Sequence, residues 1–125
     1  MRACCPGRSE SPADAQPAAG RQNRLGPPLA YLHPYLDFVV ILTTEPEFPE
    51  CPFLPLVLPK IQAAAEFARR HQPELEIVAD GGIETENVRE VVEAGATVIV
   101  SGRGIFRPGD ITENVQQLRR AAGES

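Results

Sequence analysis

Five consecutive apolar residues, Phe38-Val39-Val40-Ile41-Leu42, lie between Asp37 and Thr43. A run of that length rich in β-branched side chains predicts a strand buried on both faces. Leu75 to Ala79 and Thr97 to Val100 repeat the pattern and predict two more strands. Helical spacing fills the intervals. Ile61, Ala64, Ala65 and Ala68 recur on one face of a helix expected over about Leu56 to His71, with Pro59 tolerated in its first turn. Thr85 is the expected N-cap of a helix running through Glu93, with Val88, Val91 and Val92 inward and Gly95 as its stop. Asp110 with Glu113 three residues later resembles a capping box, and Ile111, Val115, Leu118 and Ala122 form the apolar stripe of a last helix. Leu29 to Leu36 read as a short helical or irregular lead-in limited by Pro34, and Thr43 to Pro55 as a loop holding four prolines. Strand and helix alternate as βα-βα-βα, which implies an α/β fold with parallel pairing and right-handed crossovers.

Residues 1–28 break with this pattern. They are rich in Pro, Gly, Ala, Ser and Arg, carry no aromatic residue and show no periodicity. They read as a disordered leader, or as an extension from a misplaced start, because they cannot bury enough apolar area to offset ordering. The ordered domain is expected over 29–125.

Charge and cysteine narrow the function classes. The 125 residues carry a formal net charge of −5. Residues 1–24 sum to +2, which leaves −7 on the remainder and argues against a nucleic-acid surface. Cys4, Cys5 and Cys51 are an odd number with no C-x-x-C pair, so neither a disulfide framework nor a zinc site follows. No apolar run approaches the roughly 18 residues of a membrane span, and residues 1–20 lack a secretory signal's apolar stretch. The expected setting is the reduced cytoplasm.

The candidate chemistry sits where strands end. Ile77-Val78-Ala79 leads into Asp80-Gly81-Gly82, and Val98-Ile99-Val100 into Ser101-Gly102-Arg103. A parallel strand delivers Asp80 to its C-terminal lip, where a carboxylate can move a proton next to a carbonyl or bind a divalent cation. It can equally cap the following helix or hydrogen-bond the glycine turn. Gly81, Gly82 and Gly102 are candidates for phosphate contact through backbone N–H groups, with Arg103 adding positive charge, although any of these glycines can serve as a simple turn residue. Glu84 and Glu86 fall close by and would have to face away from a dianion. Thr43 lies on the same rim. His33 and His71 appear isolated, and Cys51 reads as an ordinary loop thiol.

Read together, the segments Leu36 to Pro46, Leu58-Pro59-Lys60-Ile61, Glu76 to Ile83, Glu93-Ala94-Gly95-Ala96 and Val98 to Gly102 resemble the C-terminal portion of the ribulose-phosphate 3-epimerase family. Order and spacing match over about residues 29–122. The D-G-G-I segment also occurs in other phosphate-binding barrels, among them inosine-monophosphate dehydrogenase and hexulose-phosphate synthase. The T-x-E-P loop followed by L-P-K-I favours the epimerase.

The resemblance implies a partial TIM (β/α)8 barrel made of its three C-terminal βα units. It implies an isomerase inverting carbon 3 of a pentulose 5-phosphate through an enediolate, with a divalent metal and two aspartates. One of those, also a metal ligand, corresponds to Asp80; the phosphate-side positions correspond to Gly81, Gly82, Gly102 and Arg103, the last usually a small residue. The family's G-F-G-G after E-P is here Glu47-Phe48-Pro49-Glu50, where Pro49 has no N–H to donate. Leu42 stands where a methionine is usual. The first five βα units, with the second catalytic aspartate and the other metal ligands, have no counterpart, so this chain alone is expected to be inactive. Competing readings are a non-catalytic phosphate-ligand or partner-binding remnant that self-associates through open sheet edges, and a related phosphosugar enzyme such as hexulose-phosphate synthase.

Overall fold

A computed structural model describes residues 31–45, 47 and 52–123. The three apolar runs form strands β1 (Phe38–Leu42), β2 (Glu76–Asp80) and β3 (Val98–Val100). They pair in parallel in the order β1-β2-β3, so the fold is α/β as expected. Helix α1 (Leu58–His71) joins β1 to β2 after a 3-10 turn over Pro55–Val57, and α2 (Val88–Glu93) joins β2 to β3. A short α3 (Gly102–Phe106) follows β3 directly, and α4 (Ile111–Ala122) ends the described chain. The expected lead-in is a 3-10 turn over His33–Tyr35, closed by the Leu36 N–H on the His33 carbonyl. The predicted leader 1–28 lies outside the described residues.

The core lies between one face of the sheet and the helices. Ile41, Ile77 and Ala79 point to that side, against Ile61, Ala64 and Ala68 of α1 and Val88 and Val91 of α2. The small-residue face of α1 permits a close approach to the end of α2. Gly95 has φ +114°, and a Cβ there would collide with the Cβ of Ala65. The expected helix stop therefore doubles as a packing notch.

Several expectations need correction. The run predicts β1 buried on both faces, yet Phe38, Val40 and Leu42 are about half exposed (55%, 49% and 50%), so the described residues cover that face of β1 only in part. Thr85 is not the N-cap of α2. The helix starts later, with Asn87 at the N-cap, and the Asn87 side chain turns back to the loop before it. Within the stripe expected of α4, Leu118 is buried but Ile111 is 53% exposed; Asn114 takes the inward place. Its amide donates to the Ile105 and Arg107 carbonyls at 3.0 and 3.1 Å, tying α4 to the end of α3. The capping by Asp110 is present: its carboxylate accepts the Glu113 N–H at 3.0 Å.

Candidate active site

Strand alternation decides what surrounds Asp80. The parallel register sets Leu42 beside Asp80 and Asp80 beside Val100, with Val40, Val78 and Val98 in the row beneath. Successive residues of a strand alternate between faces. Asp80 therefore stands on the sheet's open face, at the C-terminal lip, as a carboxylate flanked on both sides by apolar residues.

The two glycines after it have a structural task of their own. Gly81 and Gly82 have φ of +131° and +65°. A Cβ on Gly81 would run into the Thr44 side chain, and one on Gly82 would come within 2.6 Å of the Phe53 backbone nitrogen. The loop after β1 thus packs directly on the glycine turn. Thr43, fully buried, anchors this contact: its hydroxyl donates to the Gly81 carbonyl at 2.6 Å, its N–H to the Asp80 carbonyl at 2.8 Å, and its own carbonyl accepts from Leu54 N–H at 2.8 Å. Gly102 differs. Nothing lies within 4 Å of where its side chain would be, so its surroundings are open.

The two glycine-bearing loops are held against each other. Ser101, buried, donates its hydroxyl to the Ile83 carbonyl. Just beyond that bond, Arg103 Nε lies 3.4 Å from Glu84 Oε1, both side chains being partly exposed. The charge expected beside a phosphate is therefore already engaged by one of the two glutamates expected to face away.

Sequence reasoning missed Asn87. Its Oδ1 accepts the Glu84 N–H at 2.9 Å and its Nδ2 donates to the Gly82 carbonyl at 3.0 Å, so one side chain fixes the path from Gly82 to Glu84. The available signal is an Asn ahead of a helical stripe, since Asn side chains bond nearby backbone. His33 and His71 are not isolated: their ring centroids lie 5.8 Å apart, each also against Phe67, beside the C-terminal end of α1 and away from Asp80. Of the altered segment Glu47 to Glu50, all but Glu47 lies outside the described residues, as does Cys51.

Among the described residues, the ligand set that a divalent metal needs is incomplete. Among the described residues, no three His, Cys, Asp or Glu side chains gather where they could share an ion, so Asp80 by itself does not make a metal site. Among the described residues, too, no helix is long and apolar enough to cross a membrane.

Comparison with known proteins agrees with the architecture. The model of the "Ribulose-phosphate 3 epimerase family" matches residues 26–106. The ribulose-phosphate 3-epimerase of Eremothecium gossypii is 31% identical over 119 residues, covering 95% of this chain and 43% of that protein. The one from Synechocystis is 33% identical over 93 residues, 74% of this chain and 40% of the relative. That of Aquifex aeolicus is 35% identical over 85 residues, 68% of this chain and 38% of the relative. The chain thus spans about two-fifths of the length of these curated relatives. With its three parallel βα units as part of a TIM-type barrel and its matching sequence over most of its length, this chain belongs to the ribulose-phosphate 3-epimerase family.

Proposed function

We propose that this chain carries the Asp80 side and the phosphate side of an active site that epimerises a pentulose 5-phosphate at carbon 3. The observation behind this reading is the placement of Asp80: at the C-terminal lip of β2, on the open face, between Leu42 and Val100. Catalytic groups of barrel enzymes sit at that lip. A carboxylate at that place can take a proton from a carbon acid held against the open face.

In this reading Asp80 removes the proton from carbon 3 on one face of the substrate, leaving an enediolate. Inversion then requires a proton delivered to the opposite face, which the same carboxylate cannot reach. A second acid across the substrate is needed. The 125 residues alone are accordingly proposed to bind but not to epimerise. A divalent metal, where the family uses one, would stabilise the enediolate's negative charge; the described residues offer Asp80 toward it and do not complete a site. On the phosphate side, Gly102 offers an open approach, Arg103 brings charge, and the Gly81–Gly82 turn lies beside them through the Ser101–Ile83 bond. A cytoplasmic setting accompanies this role.

A second reading, as a partner-binding or self-associating element, has its own support. Phe38, Val40, Leu42 and Val100 are exposed on one sheet face, and among the described residues β1 and β3 each keep an unpaired edge. Size-exclusion chromatography with circular dichroism separates the two: a compact, cooperatively melting dimer favours this second reading.

The first reading is tested by titrating ribulose 5-phosphate into the isotope-labelled chain and following amide resonances. Shifts centred on residues 81–83 and 102–103 are expected. Absence of any shift there at millimolar ligand removes the proposal.

A further inference from the structure

We infer that Glu84 is an internal competitor for the phosphate side, holding Arg103 in an ion pair that a phosphate must displace. The inference rests on the phosphate reading of Gly102 and Arg103 above and adds to it the residue that sets how tightly the anion is held.

The two partners come from different loops, Glu84 after β2 and Arg103 after β3, with Arg103 Nε 3.4 Å from Glu84 Oε1. Their backbones cannot drift apart readily, because the buried Ser101 hydroxyl is bonded to the Ile83 carbonyl directly beneath them. Glu84 is also tied on its own side. Its N–H donates to Asn87 Oδ1 at 2.9 Å, and its carbonyl accepts from the N–H groups of Asn87 and Val88 at 3.2 and 2.9 Å. The carboxylate is therefore carried on a fixed backbone, while the guanidinium rides on a long, 59% exposed stem. If one partner leaves, it is the arginine.

The chemistry favours exchange. A solvent-exposed ion pair holds weakly, whereas a guanidinium meets a phosphate dianion through two parallel, charge-assisted hydrogen bonds. Once Arg103 has turned to a phosphate, Glu84 remains close by as an unpaired like charge that repels the dianion. Both effects lower affinity, and both vanish with the Glu84 charge.

The test is titration of inorganic phosphate into the wild-type chain, Glu84→Gln, Arg103→Gln and the double variant at constant ionic strength, followed by NMR. The four proteins are first compared by circular dichroism; all the altered side chains are partly exposed, so unchanged folds are expected. Glu84→Gln should bind three- to tenfold more tightly than wild type. Arg103→Gln should bind several-fold more weakly. The Glu84→Gln gain should shrink by at least half when Arg103 is absent, since part of it comes from freeing that arginine. Wild-type binding with no gain in Glu84→Gln, or an equal gain with and without Arg103, overturns the competitor role and leaves the phosphate reading standing. Binding by none of the four overturns the phosphate reading and the competitor with it.

Discussion

The Thr43 hydroxyl donates a 2.6 Å hydrogen bond to the carbonyl of Gly81, joining the end of β1 to the glycine turn after β2 across 38 residues of chain. Thr43 is fully buried, so a replacement without a hydroxyl leaves the Gly81 carbonyl short of a partner in a dry place. Thr43→Val should cost about 1–3 kcal/mol of stability in chemical denaturation, and Thr43→Ser should retain most of it. A loss in Thr43→Ser with Thr43→Val close to wild type would assign the effect to the methyl group's packing instead.

The glycines of the two loops should respond differently to alanine. Gly82 has φ +65°, and a methyl there meets the Phe53 nitrogen at 2.6 Å. Left-handed backbone costs an L-residue about 1–2 kcal/mol before the clash is counted. Gly82→Ala should therefore lose at least about 2 kcal/mol. Gly102 has open space around it and begins α3, so Gly102→Ala should stay within about 0.5 kcal/mol of wild type or gain slightly. Thermal melts of the two variants side by side check the contrast.

Helix α4 offers a similar contrast. Asn114 is 5% exposed, donates to two carbonyls at the end of α3, and accepts from Arg107 Nε at 3.0 Å. Asn114→Ala should cost about 2–3 kcal/mol. Ile111→Ala, at a 53% exposed position, should cost about 1 kcal/mol or less. The reverse order would mean that the apolar stripe, rather than the polar clamp, seats this helix.

Capping of α4 gives a smaller effect. Asp110→Ala removes the acceptor of the Glu113 N–H and should destabilise by about 1 kcal/mol, with Asp110→Asn close to wild type.

What was readable in advance follows from how local each signal is. β1 was legible to the residue, because Phe38 to Leu42 is one unbroken apolar run between two polar residues. Gly95 and Asp110 were legible because helix ends have local chemical demands. Asp80 at a strand lip was legible for the same reason as its strand. Asn87 and Asn114 were not, since each bonds backbone five to nine residues away in a turn whose shape no periodicity reveals. The links Thr43–Gly81, Ser101–Ile83 and Arg103–Glu84 join separate loops, and only the register of a parallel sheet brings them together. The partly open face of β1 has no signature in the sequence, because an all-apolar run looks the same whether one side or both are covered.

If Asp80 is one half of a proton-transfer pair, as proposed, the 125-residue chain binds the phosphosugar without inverting it. The most direct measurement is a coupled assay for xylulose 5-phosphate formed from ribulose 5-phosphate by the purified chain, with and without divalent metal. No turnover above the uncatalysed background is predicted, for wild type and Asp80→Asn alike. Metal-dependent epimerisation by the wild-type chain, abolished by Asp80→Asn, would contradict it.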